Sequence, residues 1–248
     1  MMKAVAIAIA MLSAGSAASA GDPFATPVTA RVLPGWVQAD GTRFAALHLT
    51  LLPGWKTYWR APGDAGIPPT FDWSGSGNLG ALDVTWPTPQ VFYDNGMRSI
   101  GYKNELILPL TISPTQAGQP VHLKAEMDLG VCSDICMPHR LQFDAILDGL
   151  DSRPTPEIAA ALAQRPYSQQ EAGVQSATCR LEPTGDGFMI EARVTMPSAG
   201  GPEEMVIEPG RADIWVSDPE TRREGAEVIA LSELIHVDGG SFALNRSD

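Results

Sequence analysis

The sequence predicts an all-β protein: a β-sandwich followed by a second, smaller β domain. Three observations carry this. Twenty-one prolines and 24 glycines punctuate short segments, the turn density of a sandwich. Those segments alternate apolar and polar residues with a period of two. Helical character is confined to one short alanine-rich stretch, Arg153 to Pro166.

The first twenty residues, "MMKAVAIAIAMLSAGSAASA", read as a leader rather than as fold. Lys3 precedes the apolar run Ala4 to Leu12, and Ala18-Ser19-Ala20 forms a small-residue cleavage signature. The run is too short for a bilayer, which needs about 20 residues. Cleavage after Ala20 and export to a periplasm are expected. An oxidising compartment lets disulfides persist. The net charge of −12 carries no basic patch, which argues against nucleic acid and anionic lipid as partners.

Within residues 22–150 the strands follow in order. "RFAALHLTLL" places Ala45, Leu47, Leu49 and Leu51 on one face. "ELILPLTI" is a further strand, and Pro109 inside it suggests an edge or a bulge. "VHLKAEMDLGV" alternates most regularly, Val121, Leu123, Ala125, Met127, Leu129 and Val131 against His122, Lys124, Glu126 and Asp128. "RLQFDAIL" repeats the pattern with Leu141, Phe143, Ala145 and Leu147. Residues 151–169 read as a helical linker of about two turns. Residues 170–248 resume strand-like alternation in "VQSATCRLEP", "GFMIEARVTM", "EMVIEP", "DIWVSD" and "GAEVIAL". "GGSFALNRSD" opens a strand that stops, so this second sandwich-like domain is expected either to lack its last strands or to be a reduced form.

Between two adjacent antiparallel strands lies "GVCSDICMPHR", with Cys132 and Cys136. The chain-entropy model gives so small a ring only about 2 kcal/mol, against about 4.7 for a 100-residue loop. A bridge at a loop tip is easy to reach and reduce, which suits thiol–disulfide exchange. An inert hairpin staple is the alternative. A third reading is Cu(I) capture by Cys132, Cys136, Met137 and His139, since thiolate, thioether and imidazole suit a soft ion. No zinc pattern is complete. Cys179, in "SATCRLEP", reads as a small core residue or as half of a pair with strands beyond the C-terminus. Trp55, Tyr58, Trp59, Trp73 and Trp86 read as sandwich packing rather than a stacking platform for carbohydrate. No nucleophile–His–acid set or phosphate-cradling loop appears.

Four motifs occur in one order: "LLPGWKTYWRAPGDAGIPPTFDWSGSGNL", "VTWPTPQVF", "IGYKNELILPLTI" and "GVCSDICMPH". Over about residues 24–150 the chain resembles the periplasmic N-terminal domain of DsbD-type thiol:disulfide interchange proteins, most of all the longer form found in ScsB-like copper-tolerance relatives. The resemblance implies an immunoglobulin-like sandwich carrying a redox-active pair, Cys132 and Cys136, and no cofactor. It implies protein-disulfide reductase chemistry. A thioredoxin-like or membrane donor supplies electrons and oxidised periplasmic proteins receive them, Cys136 taking them up and Cys132 passing them on. A cap over the pair is implied near "VFYDNGM", with Phe92 and Tyr93 as its shielding residues. The spacer of three residues between the cysteines is shorter than in the family's best-known members, so the reduction potential is expected to differ. The family's membrane and thioredoxin-like parts have no counterpart in these residues, so a separate donor, or else a different task, is expected.

Overall fold

The computed structural model describes residues 26–63, 66–94, 96–211, 213–240 and 242–243. The segment expected to be a leader and most of "GGSFALNRSD" lie outside them. In chain order the strands are β1 (Val28–Val37), β2 (Arg43–Leu51), β3 (Lys56–Tyr58), β4 (Thr70–Asp72), β5 (Leu79–Val84), β6 (Gln90–Asp94), β7 (Met97–Lys103), β8 (Glu105–Pro114), β9 (Val121–Cys132) and β10 (Cys136–Leu147). Helix α1 (Pro156–Ala163) follows, then β11 (Ser176–Pro183), β12 (Gly187–Thr195), β13 (Ile214–Val216), β14 (Glu220–Glu224) and β15 (Glu227–His236).

Two antiparallel sheets form the first unit, in the orders β1-β2-β8-β5 and β10-β9-β3-β7-β6, with β4 pairing β9. The alternation read in β2 and β9 fixes what lies between them. Leu47, Leu49, Leu108 and Leu110 face Leu123, Met127, Leu129 and Val131 across one core, all essentially inaccessible. On β9 the even-numbered residues point away from it. The architecture is the immunoglobulin-like sandwich that the resemblance implies.

Pro109 is not at an edge. It lies in β8, between β2 and β5, opposite Ala46. The Thr85 amide donates to the Pro109 carbonyl at 2.9 Å, and proline has no N–H to return a second bond. The β5 ladder ends there, at Val84. The proline is tolerated because it terminates a ladder rather than interrupting one.

Helix α1 starts with proline in its first turn, where the missing N–H costs nothing. It packs closely on the sandwich. Ile158 is fully buried and Ala161 nearly so, and Thr88 donates from its amide and its hydroxyl to the Gln164 carbonyl, each at 2.8 Å.

The last five strands form one sheet, β11-β12-β15-β13, with β14 also on β15. Its small core gathers Ile190, Ile214 and Leu234, with Phe188, Ile207, Val216 and Phe242 against them. Two expectations are corrected here. "EMVIEP" is not a strand. The Met205 amide donates to the Thr221 hydroxyl at 3.0 Å instead of to a ladder, and Val206 packs against the core of the first unit. Cys179 is exposed and unpaired, not a core residue, because every residue of β11 is exposed and, among the described residues, β11 has a strand neighbour on one side only.

Leu108→Ala removes a fully buried side chain and should lower stability by about 2–5 kcal/mol. Ile146→Ala, at 65% exposure, should change it by no more than about 0.5 kcal/mol. Urea unfolding followed by tryptophan fluorescence measures both.

Candidate redox site

Cys132 ends β9 and Cys136 opens β10, directly opposite in register with 4.1 Å between Cα atoms, and the two form a disulfide. The Ser133 amide donates to the Ile135 carbonyl at 3.0 Å and closes the intervening loop. Val131 faces the core, so Cys132 faces the opposite side of the sheet. Register extends that face sideways: Cys136 pairs Cys132, Cys132 pairs Lys56, and Lys56 pairs Lys103. The two cysteines differ in access. Cys132 is 0% exposed, whereas Cys136 is exposed.

Tyr58 stands two residues along β3 from Lys56 and shares its face. Between them, Thr57 turns the other way and donates from its hydroxyl to the Gly130 carbonyl at 2.9 Å. The Tyr58 ring lies over Gly130. A Cβ there would stand 3.0 Å from two ring carbons and 2.7 Å from Cβ of Ile67, so only glycine allows the approach. The Tyr58 oxygen reaches 2.7 Å from Sγ of Cys132 and 3.3 Å from Sγ of Cys136. Disulfide sulfurs carry no hydrogen, so the phenol is the donor. Burial, and secondarily the charge of Asp94, push the phenol's pKa up. The residue therefore keeps its proton.

Lys56 is 8% exposed despite its charge. Its ammonium forms an ion pair with Asp94 and donates to the Ser99 hydroxyl at 2.9 Å. The hydrogen bond that Lys56 donates to Asp94 holds the Asp94 carboxyl below its ordinary range. Phe92 supplies an aromatic face, with its ring centre 5.4 Å from the Lys56 nitrogen and 4.4 Å from that of Lys103, both within cation–π range.

The residues singled out in the sequence are placed as follows. Cys132 and Cys136 are brought together. Phe92 is buried beside Lys56, the register partner of Cys132. Tyr93 is 63% exposed, and its hydroxyl donates to Glu204 at 2.5 Å. Both belong to a strand hairpin, β6–β7, rather than to a loop. Met137 and His139 are not brought to the sulfurs. They pair Val131 and Leu129 and so occupy the core-side face, where Met137 packs against the core. Among the described residues no cluster of three or more His, Cys, Asp or Glu side chains is arranged to hold a metal. Sequence reasoning missed Tyr58 and Lys56 as site residues. The available signal was the alternation of "WKTYW" together with a glycine two residues before Cys132.

A β-sandwich whose hairpin-closing disulfide pairs an exposed cysteine with one buried against a neutral phenol defines a thiol:disulfide interchange module. Residues 26–148 match the N-terminal domain of thiol:disulfide interchange protein DsbD, and this part of the chain is a domain of that family. The fold is also similar to the crystal structure of the N-terminal periplasmic domain of ScsB from Proteus mirabilis, with a TM-score of 0.66 and 18% sequence identity over 90% of this chain and 86% of that one. No curated protein matches the sequence.

Tyr58→Phe keeps the ring and removes the hydroxyl that reaches both sulfurs. A hydrogen bond to a charged group is worth about 1.5–3 kcal/mol, so losing it should slow thiol attack that expels the Cys132 thiolate by about ten-fold. Stopped-flow reduction by a dithiol measures this, and an unchanged rate would make the tyrosine a packing residue. For Asp94, the paired form is stabilised above the ordinary carboxylate value of about 3.9, and that contribution is lost as pH falls through the lowered folded value. A carboxyl NMR titration should place Asp94 below the ordinary value and show its return in Lys56→Met.

Proposed function

We propose that this chain is a periplasmic thiol–disulfide exchange module. It relays reducing equivalents from a thioredoxin-like or membrane-embedded donor to oxidised periplasmic proteins through Cys132 and Cys136. The observation that carries this reading is the unequal access of the two cysteines, one exposed and the other buried under a protonated tyrosine.

A donor thiolate attacks Sγ of Cys136. The Cys132–Cys136 bond breaks, a mixed disulfide forms between the donor and Cys136, and the electron pair leaves on Cys132. The phenol of Tyr58 is already within hydrogen-bonding distance of that sulfur, which lowers the basicity of the leaving thiolate. The donor's second thiolate attacks its own sulfur in the mixed disulfide and releases Cys136 as thiolate. Two electrons have entered, and protonation of the pair takes up two protons. Reduction of a client runs the same steps in reverse. Cys136 attacks the client disulfide and Cys132 resolves the intermediate. Burial of Cys132 favours Cys136 for the intermolecular steps in both directions. This differs from the division of labour the resemblance implies, with separate cysteines for uptake and delivery.

Cu(I) capture is the weaker reading, because strand alternation sends Met137 and His139 to the face away from the sulfurs. The domain scheme fits the same reading: an exported chain cleaved after Ala20, an exchange unit over 22–150, a linker over 151–169 and a second unit over 170–248.

The test uses a Cys179→Ser background, because that exposed thiol would confuse counting. Mild dithiol should release two thiols without unfolding, at a potential above about −300 mV, the region below which structural disulfides lie. With a thioredoxin-like donor whose one remaining active-site thiol is activated as a mixed disulfide with 5-thio-2-nitrobenzoate, Cys132→Ser should form a donor mixed disulfide through Cys136 and release thionitrobenzoate, and Cys136→Ser should not. A lower potential, or equal trapping by the two variants, would overturn the proposal.

A further inference from the structure

The β6–β7 hairpin is a ribbon with two different faces. Register pairs Phe92 with Ser99 and Tyr93 with Arg98, so the two pairs project to opposite sides. The first pair, together with Asp94, faces the redox site. These residues supply the cover that leaves Lys56 only 8% exposed on the outer side of a sheet. The second pair faces the C-terminal unit. Tyr93 donates to Glu204 at 2.5 Å. Arg98, with its side chain 5% exposed, ion-pairs with Asp218, donates to the Met205 carbonyl at 3.2 Å, and brings Nε to 3.4 Å from Glu204 Oε2, in ion-pair range without a directed hydrogen bond. Val206, in the same segment, packs against the core of the first unit. The ribbon is thus held between the redox site and the second unit.

We propose that the second unit supplies positioning residues for the redox pair: Glu204 and Asp218 fix the β6–β7 ribbon, and the ribbon keeps Lys56 and the neighbouring Cys132 covered. This rests on the exchange reading only in taking Cys132 and Cys136 as the working pair. The chemistry supports the route. A buried guanidinium needs its partners in place, so the ribbon's far face cannot leave the second unit freely. Losing those partners frees the ribbon, and the near face then lifts from Lys56. Cys132 gains access, whereas Cys136, already exposed, does not. The arrangement restricts exchange with stray small thiols to one cysteine.

The test is alkylation by iodoacetamide of the reduced full chain in the Cys179→Ser background, with each cysteine followed by mass spectrometry. The double variant Glu204→Ala/Asp218→Ala should alkylate Cys132 about ten-fold faster, the scale of a lost charge-assisted contact acting on a local opening equilibrium. Cys136 should change by less than about two-fold, and Glu204→Gln/Asp218→Asn, which retains acceptors, should restore protection. Glu208→Gln weakens another contact between the units, the two-point pairing with Arg60 at 2.7 and 3.0 Å, and should leave Cys132 protected. Should the double variant misfold, Tyr93→Phe leaves every charge in place and should speed Cys132 alkylation about two-fold. Unchanged Cys132 alkylation, equal acceleration of both cysteines, or the same effect from Glu208→Gln would overturn the proposal. None of these outcomes depends on the reduction potential, so the inference and the exchange reading fail separately.

Discussion

The pairing register of β9 with β10 is the constraint on which the site depends. A strand's side chains alternate, so a slip of one residue would exchange its faces. With Val131 in the core, Cys132 must stand outside it. Placing Cys136 directly opposite sets both sulfurs on that outer side and sends Met137 and His139 to the other. The same apolar alternation that builds the sandwich therefore decides which side chains the disulfide meets. It also limits them, because the outer side of a sheet has only what the neighbouring strands and loops bring.

Here β3 brings a lysine and a tyrosine. A tyrosine can approach a sheet this closely only where the strand beneath offers no side chain, and Gly130 provides that place. The lysine is the costlier residue, since burying an ammonium is unfavourable unless it is paired. Asp94, Ser99 and the Phe92 ring supply the pairing. All three belong to the β6–β7 hairpin, so the charge of Lys56 ties the hairpin to the disulfide side of the sheet.

Those features were unequally legible in the sequence. The core faces of β2 and β9 could be read residue by residue, because alternation is a local property. The cysteine pair could be read too, from its short spacing between two alternating strands. Pro109 was read as marking an edge or a bulge and marks neither, because a proline reports only a missing donor, not which ladder lacks it. "EMVIEP" was misread because its apolar residues are used to cover a neighbouring unit rather than to build a sheet. Tyr58 and Lys56 stayed hidden for a topological reason. Lys56 meets Cys132 through β3–β9 pairing at a separation of 76 positions in the numbering, and no local pattern specifies that register.

The hairpin's other face leads to the last step. Tyr93 and Arg98 continue the core side of the sheet, on the same face as Ile100 and Tyr102. Among the described residues, the partners shown for the Arg98 side chain come from the second unit. Glu204, Met205 and Asp218 complete that face, and all three lie beyond residue 148, where the family match ends. The exchange domain and the second unit are thus joined at a point where the second unit supplies carboxylates to the buried guanidinium of the first. A domain boundary drawn from sequence separates residues that electrostatics places together. The covering of Lys56, and through it the surroundings of Cys132, is accordingly a property of the two-unit chain rather than of the sandwich alone.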